Sequence, residues 1–408
     1  MSSLSSSARY PWILIGLLWL VAFLNAADRS IIIAVMPSLR DEFGLSNTSL
    51  ALLNSLFFWI YAIAAFVAGR MGDSIRRTQI VIYGLIFWSV ATGLTGLSTG
   101  FAMLLACRGL VALGEATYYP TATALISDWH QPRWRSRALS LHQTGVFAGA
   151  GLGAFFAGFL ADKFSWHTPF IVFAVIGVVH AVILMKLLRD PEVKSAPVKR
   201  SEPLGIVLRN RPAVMLCVVF FLATGASTGV TVWAPTYVHD ALKLDLAGSA
   251  LIGSATINIA GFLTVPFGGW LADTIARRTA IGRFYTLAIG LGLAALLLLP
   301  LASVTTAAGV GIVLVLTSFG KGIFDGCIYA AMHDVVPAHA RATAVGAMTM
   351  IGFFGASVTP FLVAWASESF GMAAGMTSLA GLYVVAVVII LAMRPAIARA
   401  VAANSAEH

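Results

Sequence analysis

GRMGDSIRR (residues 69–77) and GGWLADTIARR (268–278) are two copies of one pattern. Gly69-x-x-x-Asp73 is followed by Arg76-Arg77, and Gly269-x-x-x-Asp273 by Arg277-Arg278. Each copy is a short charged segment between long apolar runs. Further echoes keep a similar distance. Asp128, Pro132 and Arg137-Ala138 in the first half return as Asp334, Pro337 and Arg341-Ala342 in the second. An offset of roughly 200 residues, half the chain, marks a duplicated multi-helix unit rather than a row of short repeats.

Around these loops the composition is that of a membrane protein. Of 408 residues, 59% are hydrophobic and 11% charged, whereas soluble domains carry roughly 25% charge. So many apolar side chains cannot be hidden in a soluble core, and lipid must solvate the rest. Runs of about 20 apolar residues are long enough to cross the hydrocarbon. They predict spans at 11–37, 49–70, 79–98, 101–126, 136–161 and 166–188. After the polar stretch RDPEVKSAPVKRSEPLG (189–205), six more follow at 212–238, 249–273, 281–301, 306–332, 341–364 and 372–394. The fold class is therefore an all-α membrane protein of twelve transmembrane helices. Its expected domains are an N-terminal six-helix bundle (1–188), a cytoplasmic linker (189–211) and a C-terminal six-helix bundle (212–408). The first apolar run has no cleavage site behind it and reads as a retained helix.

Charge placement gives the orientation. With both termini cytoplasmic, only Arg40, Lys163 and Lys243 of the 26 Lys and Arg fall on the opposite side, while Arg29, Arg108 and Lys321 lie inside spans. That asymmetry obeys the positive-inside rule. It also explains the net charge of +9 without nucleic acid as a partner. Cys107, Cys217 and Cys327 each sit in an apolar run and read as buried spectator thiols.

The two loop copies resemble the signature loop of the major facilitator superfamily. That resemblance implies two pseudo-symmetric six-helix bundles, alternating access, and a path lined by spans 1, 4, 7 and 10. It also gives Gly69, Asp73, Arg76, Arg77, Gly269, Asp273, Arg277 and Arg278 a role in conformational gating. Ser74 stands where the family usually has arginine. NAADRS (25–30) and RGLVALGEATYYP (108–120) resemble two branches of that superfamily. One is the Spinster-like group of lipid transporters; the other is the anion:cation symporters for sugar acids and related carboxylates. RSRALS (135–140) leans toward Spinster. By this resemblance Asp28 and Glu115 are proton-coupling candidates, and Arg29 and Arg108 are anion-binding candidates.

The residues themselves point the same way. Asp28, Arg29, Arg108, Glu115, Lys321 and Asp325 are ionisable and lie well inside predicted spans. A charge at mid-bilayer costs about 2.5–3.5 kcal/mol on insertion scales, so such residues face a cavity or one another. Arg108 and Glu115 are two helical turns apart on one face, and Lys321 and Asp325 one turn apart. Asp28 and Arg29 are adjacent, so their side chains diverge by about 100°. A carboxylate in a partly dry cavity can load and release a proton as its surroundings change. Arginine offers a planar fork of donors to an anion. The bland alternative is a set of structural salt bridges, which fits Lys321–Asp325 as well as a substrate site does. Tyr118, His142 and Gln143 are further candidates to line the path.

The expected function is proton-coupled secondary transport of an organic anion of the carboxylate or sugar-acid type. A Spinster-like carrier of lysolipid or sphingolipid-type amphiphiles is the alternative, and a non-transporting membrane sensor a more distant one. No nucleotide P-loop or H-E-x-x-H is present, so no enzyme activity, cofactor or metal is expected. The expected partners are substrate, protons and the bilayer of a bacterial inner membrane, with the chain acting as a monomer.

Overall fold

The computed structural model describes residues 9–71, 76–130, 132–191, 205–337 and 340–406. Among these residues twelve helices are long and apolar enough to cross a membrane. The first six are α1 (Tyr10–Ala34), α2 (Asn47–Met71), α3 (Arg77–Gly96), α4 (Phe101–Trp129), α5 (Pro132–Lys163) and α6 (His167–Leu187). The second six are α7 (Arg211–Leu242), α8 (Leu246–Ala276), α9 (Gly282–Ser303), α10 (Ala307–Val335), α11 (Arg341–Phe370) and α12 (Met372–Ala392). The all-helical class and each of the twelve predicted spans are present.

The chain divides into two compact units. The first is Met1–Val198 together with Leu244–Ala255, and the second is Lys199–Lys243 together with Thr256–His408. The start of α8 thus groups with the first unit. The Asp162 carboxylate at the end of α5 accepts from the backbone N–H of Leu246 (3.0 Å) and Ala247 (2.8 Å), capping that helix start.

In the first unit α1 lies against α5 with almost no side-chain spacer. Gly145, Gly149 and Gly153 recur at one-turn intervals and form a stripe under Trp19, Phe23 and Ala27. Such small-residue stripes let backbones approach closely where lipid gives no hydrophobic drive to associate. A Cβ on Gly149 would come within 2.1 Å of the Phe23 carbonyl oxygen. Gly355 on α11 plays the same part against α7 in the second unit, where its Cβ would meet the Phe221 carbonyl oxygen at 2.2 Å. Gly149→Val is therefore expected to force α1 from α5 and lower the melting temperature of the purified protein sharply. Gly16→Ala, with nothing within 4 Å of the new Cβ, should leave it unchanged. Equal melting of the two variants would refute this packing.

α4 and α10 each break in mid-course, directly after an acidic residue. α4 runs helically from Phe101 to Glu115, turns at Ala116 and Thr117, and resumes at Tyr118. Pro120 has no N–H to return to the Ala116 carbonyl, which opens the ladder there. α10 runs to Asp325, turns at Gly326 and Cys327, and resumes at Ile328. There Gly326 sits against the α8 backbone so closely that a Cβ would be 2.3 Å from the Val265 carbonyl oxygen. Glu115 and Asp325 are thereby presented at equivalent points of the two units.

Candidate functional site

The first unit brings Asp28, Arg29, Arg108 and Glu115 into one cluster. Glu115 is fully buried, and its Oε2 accepts from Nε of Arg29 at 2.7 Å. The same guanidinium donates through Nη2 to Oδ1 of Asn25, one turn earlier on α1, at 2.7 Å. Asn25 in turn reaches the Glu115 backbone carbonyl at 3.5 Å. The Arg29 side chain keeps 27% of its surface exposed while that of Glu115 keeps none. Arg29 is thus the accessible half of a pair whose other half is sealed.

Asp28 turns away from its neighbour, as adjacent helical residues must. It is buried against α3, where Oδ2 accepts from the Thr92 hydroxyl at 3.2 Å. Arg108 is also buried, with its guanidinium carbon 4.7 Å from the centroid of the Phe57 ring. Oδ1 of Asp28, Oε1 of Glu115 and Nε of Arg108 are buried and have no hydrogen-bond partner among the described residues. Two carboxylates and two guanidiniums balance in charge, which is what allows four ionisable groups to share one desolvated place.

The softer candidates divide. Tyr118 and His142 are buried. The Tyr118 hydroxyl donates to the Leu18 carbonyl on α1 at 2.6 Å and meets Nε2 of His142 at 2.7 Å. A single hydroxyl proton cannot serve both, so Nε2 of His142 is the donor to Tyr118. Gln143 accepts from the Tyr119 hydroxyl at 2.7 Å. Both pairs tie α4 to α5, and the first also reaches α1.

In the second unit Lys321 and Asp325 form a closed pair on α10, with Nζ 2.6 and 2.7 Å from the two carboxylate oxygens. The loop candidates fare unevenly. Gly69 lies in α2, and Asp73 lies outside the described residues. Arg77, the first residue of α3, pairs with Asp128 near the end of α4. Gly269 approaches the Gly326 carbonyl oxygen, its Cβ position 3.4 Å away. Asp273 pairs with Arg283 at 3.0 Å, and Arg283 also holds Asp334 at 2.6 Å. Arg76, Arg277 and Arg278 are exposed. The counterpart of Arg77 is therefore Arg283, since both open a helix and both grip the acid that closes the next one.

Sequence reasoning did not single out Asn25, Phe57, Tyr61, Thr92 or Arg283. Asn25 carried a signal, one turn before Arg29 in the quoted NAADRS. Phe57 and Tyr61 are aromatic residues in an apolar helix and carried none. Gly225-Ala-Ser227-Thr-Gly229 matches G-x-S-x-G, but it lies within the unbroken helix Arg211–Leu242. A nucleophile elbow needs a strand-to-helix turn, so the match has no catalytic meaning.

Known proteins resemble this chain along most of its length. The hexuronate transporter of Bacillus subtilis (strain 168) is 26% identical over an alignment of 390 positions that covers 90% of this chain and 92% of that protein. Protein spinster of Drosophila melanogaster is 28% identical across 68% of this chain and 48% of its own length. The chain thus spans about half of that longer relative. Among solved structures, a bacterial homolog to the human lysosomal transporter Spinster, in an inward-facing and unoccupied conformation, has the same fold. Its TM-score is 0.85 at 18% identity, over 98% of this chain and 99% of that one. The family model described as Major Facilitator Superfamily matches residues 18–360. With twelve spans and a match over most of its length, the chain belongs to the Major Facilitator Superfamily.

Proposed function

We propose that this chain is a proton-coupled transporter of a small organic anion, of the sugar-acid or carboxylate class, working by alternating access. The observation that carries the reading is the Arg29–Glu115 pair, accessible on its cationic side and sealed on its anionic side. An ionised Glu115 occupies Arg29. A proton on Glu115 removes the competing charge and frees the guanidinium fork for a substrate carboxylate. Proton and anion are then bound together, and losing either restores the internal pair. Asp28, which accepts from the Thr92 hydroxyl, is the second proton-coupling candidate. Arg108, buried beside Phe57, supplies the fixed charge that balances the two carboxylates.

The family and the basic loops support a multi-pass protein of a bacterial inner membrane with cytoplasmic termini, acting as a monomer. Arg77–Asp128 and Arg283 with Asp273 and Asp334 are then latches on the cytoplasmic side, made and broken as the units exchange states. The relatives support the substrate class, since they include a hexuronate transporter and a probable galactarate/D-glucarate transporter.

The test is uptake into liposomes carrying the purified protein, with labelled D-glucuronate, D-glucarate, inorganic phosphate and a lysophospholipid offered separately. One of the two sugar acids should accumulate against its gradient when the lumen is alkaline, and a protonophore should abolish that accumulation. Uptake of the lysophospholipid alone would replace this reading with the Spinster-like one. Binding without uptake would point to a sensor.

A further inference from the structure

Phe57 on α2 meets both arginines of the cluster. Its ring centroid is 4.7 Å from the guanidinium carbon of Arg108 and 5.4 Å from that of Arg29. Tyr61, one turn on, stacks with Phe57 at 5.7 Å and an interplanar angle of 25°, and its own ring lies 4.7 Å from the Arg29 carbon. Phe57 is 1% exposed and Tyr61 5%. These rings are therefore not surfaces for substrate to stack on. They face the cations and are otherwise enclosed.

Two guanidiniums near one ring repel each other, and in a desolvated place that repulsion is weakly screened. Carboxylates offset it for Arg29 directly, through the short contact with Glu115. Among the described residues Arg108 has no such contact, and its Nε has no partner. The negative face of an aromatic ring attracts a cation without adding a charge that would itself compete for protons or substrate. A carboxylate in the same place would bind Arg108 more strongly but would make the cluster net acidic and unfit for an anion.

We propose that Phe57 is a positioning residue of the anion site. Its ring seats Arg108 and Arg29 through cation–π contact, and so fixes the direction in which the exposed edge of Arg29 meets substrate. The part of this inference that concerns substrate rests on the anion-transport reading above. The seating of the arginines does not.

Fluorinated phenylalanines test the seat, because fluorine drains the ring face of negative charge while barely changing its size. Phenylalanine with one, two and three ring fluorines is introduced at position 57, in the parent and in Arg108→Met. The melting temperature should fall with each fluorine, by roughly 2–4 °C across the series. The slope should shrink in Arg108→Met. A packing role alone predicts a flat or rising series, since fluorination makes the ring more apolar, and that result would overturn the proposal. The second readout is uptake in liposomes of whichever of D-glucuronate and D-glucarate the parent accumulates. The concentration for half-maximal uptake should rise severalfold along the series with the maximal rate little changed. Phe57→Leu should show the largest rise, and Phe57→Trp should restore most of the affinity. A falling melting series with unmoved half-saturation would overturn the positioning role. A parent that takes up neither D-glucuronate nor D-glucarate would fail the anion-transport reading and leave the melting series to decide the seat.

Discussion

Glu115→Gln is expected to abolish accumulation driven by a pH gradient while leaving exchange of substrate across the membrane. Glutamine keeps the shape and can still accept from Arg29, but it neither takes nor releases a proton. Each pH unit stores about 1.4 kcal/mol per proton, so a one-proton symporter accumulates substrate roughly tenfold per unit. The variant should fall from that ratio to about one, the value for passive equilibration. Counterflow in the same liposomes should persist, because exchange does not require proton release in each cycle. Asp28→Asn, measured alongside, shows whether the second carboxylate shares the load. If both variants concentrate substrate like the parent, neither residue couples the proton, and Asp325 becomes the carboxylate to examine.

Arg29→Ala should act on binding itself. Truncating one partner of a buried charge pair costs about 2–5 kcal/mol, so apparent affinity for the anion should fall by at least about 30-fold. The same change leaves Glu115 sealed and unpaired, so the free protein should also melt at a lower temperature. Combining Arg29→Ala with Glu115→Gln removes the orphaned charge. Melting should then recover toward the parent while affinity stays low, a non-additivity that reports direct contact. Arg29→Lys should rescue only part of the affinity, because a point charge lacks the planar fork that serves Asn25 and a carboxylate together. An Arg29→Ala variant with parental affinity would move the anion site elsewhere.

What could be read before the structure follows from how each signal is written. Spans are written in continuous apolar runs, which is why all twelve were visible. The four ionisable residues of the first unit were visible because a charge in a lipid-solvated helix stands out against its surroundings. Their pairing was not visible. Arg108 and Glu115 share a face of α4, yet Glu115 is held by Arg29 from another helix. Contact between helices depends on rotation and depth, which periodicity does not encode. Phe57 was hidden for the opposite reason, since an aromatic side chain in an apolar helix looks like any other. The loops left one arginine unread. Arg277 and Arg278 follow the repeated motif, but helix α9 begins only at Gly282. The arginine with the geometry to reach Asp273 and Asp334 is the next one along, Arg283.

The glycine stripe between α1 and α5 has a consequence in time. With the Phe23 backbone seated directly on Gly149 and Ala27 on Gly153, α1 cannot rotate about its own axis without driving α5 along with it. If Arg29 exchanges Glu115 for an anion as proposed, it does so by swinging its side chain, a rotamer event of picoseconds to nanoseconds, and not by turning its helix. Movements of whole domains take microseconds to milliseconds. In the proposed mechanism the swing of Arg29 from Glu115 to the anion is therefore never the slow step, and protonation of Glu115 sets how much of the protein can bind. External pH should consequently register in the concentration needed for half-maximal uptake, while the ceiling on turnover belongs to the slow motion.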